Sequence, residues 1–270
     1  MMLDKVAREG LLLLGCGKMG TALLTGWLAA GVPAKSVWVI EPHPSDWLKA
    51  TGVHLNAGLP AAPAVALLAV KPQMMGAALP ALQALGNGTT LFLSIAAGTS
   101  IATFEAALGA ATPIVRSMPN TPAMVGRGIT AICANAHAGH EGLALAHALM
   151  LAVGEVVELA GEHQIDAVTA VSGSGPAYVF LLIEAMAAGG VAAGLPAEIA
   201  MQLARATVCG AGELAHRSGE TAAQLRINVT SPAGTTAAAL AVLMDAAEGF
   251  TPLLDRAIKA AAARGQALGK

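Results

Sequence analysis

Residues Gly10-Leu11-Leu12-Leu13-Leu14-Gly15-Cys16-Gly17-Lys18-Met19-Gly20 decide the fold. The short leucine run has no polar alternation, so it reads as a strand buried on both faces. Three glycines follow in the spacing Gly-x-Gly-x-x-Gly, and a helical stretch runs from Met19 to Ala30. In such a place the first glycine permits a tight turn, the second lets a pyrophosphate approach the backbone, and the third lets helix and strand pack closely. The helix start supplies free amides and the positive end of its dipole. A glycine pattern alone is weak evidence. Its position between strand and helix makes it a dinucleotide site, with Gly15, Gly17, Lys18, Met19 and Gly20 as contacts.

The same punctuation continues downstream. A strand at 36–40 completes a strand, helix, strand unit, and 64–70 and 90–95 repeat the short apolar pattern between prolines and glycines. Residues 113–116, 128–133 and 154–159 read as further strands, although their order in a sheet is not legible. After Gly161 the texture changes to alanine-rich helical stretches at 164–172, 176–194, 196–218, 221–228 and 235–267. The predicted fold class is α/β: an N-terminal Rossmann-type, mainly parallel sheet domain over 1–161, then an all-helical substrate and dimerisation domain over 162–270.

Composition narrows the function. A formal charge of −2 gives no basic field for nucleic acid. Hydrophobic residues make up 55% and charged residues 12%, which leaves little solvated surface and points to burial between subunits. The uncharged run from Pro72 to Phe104 is broken by Gly76, Pro80, Gly86, Asn87, Gly88 and Gly98, so no segment free of both charge and helix breakers spans a membrane. Asp4, Lys5, Arg8 and Glu9 precede a short apolar strand that lacks the length and cleavage site of a signal peptide, and a cytoplasmic protein is expected. Cys16, Cys133 and Cys209 are widely separated, predicting reduced, buried thiols rather than disulfides or a zinc site. His137, His140 and His147 read as surface histidines. No metal is expected.

Several positions carry candidate chemistry. Glu41 follows the second strand where an acid binds adenosine ribose hydroxyls, which favours NAD(H), while His43 partly offsets this for NADP(H). Lys71, before Pro72, falls at the carboxyl edge of the sheet; its alternative is a solvated loop lysine. Ala69, Val70 and Pro72 turn sharply there, and Ala96, Ala97 and Gly98 end the next strand with small residues that leave room for a nicotinamide ring. Asn120, within Met118-Pro119-Asn120-Thr121-Pro122, is equally a cofactor contact or part of a rigid connection. Thr230-Ser231-Pro232-Ala233-Gly234-Thr235-Thr236 reads as a second anion-binding helix start, since Pro232 fixes one backbone angle and the bare residues expose amides to a small carboxylate. Taken alone it is equally an ordinary capped helix. Paired carboxylates and a nucleophile elbow are missing, so hydrolysis is unsupported.

Jointly, Gly15 to Gly20, Ala69-Val-Lys-Pro72, Ser94-Ile-Ala-Ala-Gly98, Arg116-Ser-Met-Pro-Asn-Thr-Pro122, Ser172-Gly-Ser-Gly-Pro-Ala-Tyr178 and Val229 to Thr236 resemble the pyrroline-5-carboxylate reductase family over nearly the whole chain. The resemblance implies hydride transfer from NAD(P)H to a cyclic imino acid, giving L-proline, without a metal. It implies a homodimer, with dimers assembled into larger rings, in which the substrate loop of one chain faces the cofactor of the other. It assigns Ser231, Gly234 and Thr235 to the substrate carboxylate and Thr236 to the imine nitrogen, with Ser231 and Thr236 as the catalytic pair. Val229 joins the substrate set and Asn56 the cofactor set. Two positions depart from the family pattern: Ala233 stands in place of a glycine, and Arg226-Ile227 in place of Lys-Asp. Alternatives are a related imine or beta-hydroxyacid dehydrogenase, and a non-catalytic dinucleotide sensor. The absence of lysine from 161 to 201 argues against the hydroxyacid enzyme.

Overall fold

The computed structural model describes residues 2–269. It opens with a helix that the sequence reading did not anticipate, α1 (Met2–Glu9), then β1 (Leu11–Leu14), α2 (Lys18–Ala29), β2 (Val37–Ile40), α3 (Asp46–Ala50) and β3 (His54–Leu55). The chain continues through β4 (Val65–Leu68), α4 (Pro72–Ala78), β5 (Leu91–Ser94), α5 (Ile101–Leu108), β6 (Ile114–Met118), β7 (Gly128–Ala134), α6 (Gly139–Leu151) and β8 (Gly154–Glu158). The eight strands form one sheet in the order β3-β2-β1-β4-β5-β6-β7-β8. All neighbours are parallel except β6 and β7. Leu11 pairs with Val37 on one side and Val65 on the other, so the chain reverses direction across the sheet at β1 and β4. Ligands of open α/β sheets bind outside the carboxyl ends of the strands at such a reversal.

Both faces of the sheet are covered, which explains the unbroken apolar runs. Leu11 and Leu13 point into a core with Val37, Val65, Leu24, Trp27 and Leu149, while Leu12 and Leu14 pack with Ala66, Leu68, Phe92, Met75 and Phe104. Alternate residues of one strand thus serve opposite cores. Trp27 is fully buried and its indole Nε1 donates to the Leu149 carbonyl at 2.9 Å, so burial leaves no orphaned donor.

The helical part comprises α7 (Ile165–Val168), α8 (Gly175–Ala192), α9 (Ala197–Arg217), α10 (Ala222–Asn228), α11 (Thr235–Leu243) and α12 (Phe250–Leu268). The chain divides into two compact units: one runs to Gly173 and resumes from Ala261, and the other is Ser174–Ala260. This division follows packing, whereas the expected boundary at Gly161 follows the change from strands to helices. They describe different things.

Three expectations need correction. The single helix expected over 235–267 is two, because Asp245 Oδ1 accepts the amides of Ala247 and Glu248 at 2.8 Å each and diverts the backbone into a turn before α12. These bonds also hold the Asp245 carboxyl below its ordinary range. The thiols are free, yet only Cys133 is buried; Cys16 is half-buried and Cys209 lies on an exposed face of α9. Finally, one continuous helical stretch among the described residues, Glu162–Ala192, is long and apolar enough to cross a membrane by length and composition. It carries Glu162, Asp166 and Glu184, so it is not free of charge, and only its mean hydropathy marks it. His137 and His140 are exposed and His147 is half-buried.

Candidate functional site

The glycine turn lies between β1 and α2, beside the end of β4. Gly15 has φ +89°, and a Cβ there would stand 2.9 Å from the Ala69 carbonyl oxygen. A Cβ on Gly20 would stand 2.6 Å from the Gly15 carbonyl oxygen. The first and third glycines are therefore demanded by the protein's own packing. Gly17 differs: nothing lies within 4 Å of a Cβ placed there. It caps α2 with no side-chain hydrogen bond, and Gly17 and Lys18 are exposed while Met19 is half-buried. A bare helix start beside an open glycine fits the pyrophosphate of a dinucleotide.

Glu41 closes one side of this turn. Its Oε2 accepts the Cys16 amide at 2.8 Å and its Oε1 accepts the His43 amide at 3.0 Å. Asn56 grips Glu41 from the other side, accepting its amide at 2.9 Å through Oδ1 and donating through Nδ2 to its carbonyl at 3.0 Å. His43 itself is exposed. The structure thus brings Gly15 to Gly20, Glu41, His43 and Asn56 together.

Ala69 and Val70 border Gly15, and Lys71 is exposed at the start of α4 with Pro72 in the first turn. The Ala96 amide donates to Ser94 Oγ at 3.2 Å, which turns the chain at the end of β5. Ala97 and Gly98 border a cleft of about 500 Å³ shared with Pro72, and Gly98 holds φ +73° beside the Leu268 backbone. Asn120 is buried, with Nδ2 donating to the Ser172 carbonyl at 3.2 Å and Oδ1 accepting the Ile129 amide at 2.9 Å. Both ends of its side chain engage backbone.

The second candidate region is described within its own unit. Val229 ends α10 and is exposed, as is Ser231. Thr230 Oγ1 donates to the Arg226 carbonyl at 2.6 Å, tying the loop back to α10. Ala233 takes φ 58°, a left-handed turn that glycine would adopt without strain. The Gly234 amide donates to the Ser231 carbonyl at 3.1 Å, and a Cβ on Gly234 would meet Ser231 Oγ. Gly234 caps α11 without a side-chain hydrogen bond, and Thr235 and Thr236 form the first turn. Ser231, Gly234, Thr235 and Thr236 are therefore gathered at one uncapped helix start, as expected. Ile227 is exposed and Arg226 Nη1 reaches Met244 Sδ at 3.3 Å.

One feature escaped the sequence reading. Glu162, just after β8, receives both the Arg116 guanidinium and, at 2.7 Å, the Ile101 amide at the head of α5. Residues so far apart in sequence leave no local signal.

A doubly wound sheet with a bare glycine turn and an acid at the next strand end defines a nicotinamide-dinucleotide oxidoreductase, here joined to a helical unit. The description "Pyrroline-5-carboxylate reductase dimerisation" matches residues 162–268, and "NADP oxidoreductase coenzyme F420-dependent" matches 11–98. The chain is 45% identical to the pyrroline-5-carboxylate reductase of Synechocystis sp. over 96% of its own length and 97% of that protein's. It also matches the structure of a pyrroline-5-carboxylate reductase from Coxiella burnetii at 34% identity and TM-score 0.89, covering 97% of this chain and 99% of that one. A Plasmodium falciparum pyrroline carboxylate reductase with NADP bound matches at 30% identity and TM-score 0.83, with the same coverage. The chain belongs to the pyrroline-5-carboxylate reductase family.

Proposed function

We propose that the protein reduces the cyclic imine 1-pyrroline-5-carboxylate to L-proline with NADH or NADPH. The observation that carries this reading is the uncapped start of α11, where Ser231 lies against Gly234 and Thr235 and Thr236 follow, in a chain of this family. The amides of Thr235 and Thr236 and the helix dipole bind the substrate carboxylate, and Ser231 Oγ adds a donor, while the Gly234 amide already donates to the Ser231 carbonyl. Thr236 holds the imine nitrogen in register. The cofactor, when bound, supplies the hydride. A protonated imine is already electrophilic, so the protein mainly binds, aligns and excludes water. Gly17 and the α2 amides receive the pyrophosphate, Lys71, Pro72, Ala96, Ala97 and Gly98 frame the nicotinamide side, and Glu41 takes ribose hydroxyls. A carboxylate at that place repels a 2′-phosphate, which favours NADH.

We assign a homodimer as the working unit. Large apolar side chains such as Phe180, Leu181 and Val242 are 60%, 63% and 72% exposed, more than an isolated soluble subunit tolerates on one set of helices. The helical stretch 162–192 then owes its hydropathy to a subunit interface.

The test is the oxidation rate of NADH and of NADPH, at matched concentrations, on adding pyrroline-5-carboxylate. Turnover with either supports the reductase; cofactor binding without turnover would move the assignment to another imine or hydroxyacid substrate.

A further inference from the structure

We infer that Asn56 is a positioning residue for cofactor selectivity, acting through Glu41 rather than by touching the cofactor. The inference rests on the proposed dinucleotide site. Three bonds attach Asn56 to the end of β2. Its own amide donates to the Val39 carbonyl at 2.8 Å, while its side chain accepts the Glu41 amide and donates to the Glu41 carbonyl. A carboxamide offers an acceptor oxygen and an NH2 group with two hydrogens, and the oxygen and one of those hydrogens are engaged by Glu41. The residue reaches this place by adopting φ 51°, a left-handed conformation that asparagine tolerates better than most side chains. The two-residue strand β3 delivers it there, pairing Leu55 with Val39 immediately before the turn.

The consequence falls on Glu41. Its backbone is held on both sides by Asn56, and its carboxylate is held by the amides of Cys16 in the glycine turn and of His43. A carboxylate offers about four lone-pair sites, so two bonds to backbone leave roughly two for ribose hydroxyls. The negative charge is thereby set at one point beside the pyrophosphate turn, where it accepts a diol and opposes a phosphate. Without the Asn56 side chain β2 stays paired to β1 through Ile40, but the Glu41 backbone loses both of these bonds and its carboxylate is placed less tightly.

Asn56→Gly tests this, because glycine keeps the left-handed backbone and removes only the side-chain bonds. With NADH, KM is expected to rise roughly fivefold to tenfold with kcat nearly unchanged, while kcat/KM with NADPH stays level or rises. The NADH to NADPH ratio of kcat/KM therefore falls. In an Glu41→Ala background the same substitution is expected to leave that ratio unmoved, since coupled residues do not add. An unchanged ratio in Asn56→Gly, an equal loss with both cofactors, or additive effects of the two substitutions would each overturn the inference. Fluorescence titration of the unaltered protein with NADH and NADPH separates the two levels: binding of neither would sink the cofactor reading itself.

Discussion

Glu162 Oε1 accepts the Arg116 guanidinium and the Ile101 amide together, joining the middle of β6, the head of α5 and the entry to the helical stretch at a single oxygen. Arg116 is 8% exposed and Glu162 31%, so the pair is unequal. Removing the acid strands a buried cation, whereas removing the cation leaves an acid that water still reaches. Glu162→Ala is expected to lower unfolding free energy by about 3 kcal/mol and Arg116→Met by about half as much. Chemical denaturation at fixed protein concentration ranks the two; the reverse order would refute the account.

Gly17 and Gly20 separate binding from folding. A Cβ has open space at Gly17 and a 2.6 Å clash with the Gly15 carbonyl at Gly20. Gly17→Ala is expected to melt like the parent but to bind dinucleotide about tenfold or more weakly, while Gly20→Ala loses about 2 kcal/mol of stability. Thermal melts and cofactor titrations of both proteins decide the matter.

Ala233 holds φ 58°, where a side chain costs about 1 kcal/mol. Ala233→Gly relieves that strain, partly offset by the greater freedom of glycine in the unfolded chain. A net gain of roughly 0.5 kcal/mol is expected, read as a melting point higher by about 1 to 2 °C. A lower melting point would show that the loop is not strained.

Thr236 stands in the first turn of α11, where its hydroxyl is proposed to orient the imine nitrogen. Thr236→Val keeps the shape and removes the hydrogen bond, and kcat/KM for the imine is expected to fall by a factor corresponding to about 1 to 3 kcal/mol. Cofactor affinity should not change. Full turnover in steady-state assays would remove Thr236 from the mechanism.

Burial pushes the Cys133 thiol up to about 11, against the opposing influence of Arg116. Below the ordinary thiol value of 9.0 both folded and unfolded chains keep the proton, and this group contributes no slope. As pH rises from there to about 11, the unfolded chain gives up a proton that the folded chain retains, so stability falls. The loss is on the order of 2 kcal/mol, and Cys133→Ala should flatten that part of the curve when denaturation is followed from pH 8 to 11.

Much of the first unit was legible because its signals are local. The leucine run, the glycine spacing and the short apolar strands each state their structure within a few residues, and all the expected strands are present. Glu41 was legible for the same reason, since an acid ending the second strand needs only spacing to be noticed. The break between α11 and α12 was missed although Asp245 and Gly249 mark it, because the alanines around them favour helix more strongly than one aspartate opposes it. Asn56 was placed with the cofactor by resemblance, but its engagement with Glu41 depends on a fold that brings positions 15 apart into contact.

By itself the sequence determined the sheet-then-helix architecture, the glycine turn and the hydroxyl-rich start of α11, because periodicity, glycine spacing and helix-start chemistry act over neighbouring residues. Tertiary structure alone decided the strand order that puts β1 beside β4, the joining of Arg116 to Glu162, the two-sided hold of Asn56 on Glu41, and the open space at Gly17 that its two sister glycines lack. Those relationships join groups distant along the chain, and their energies arise only when packing removes water and fixes the distances between them.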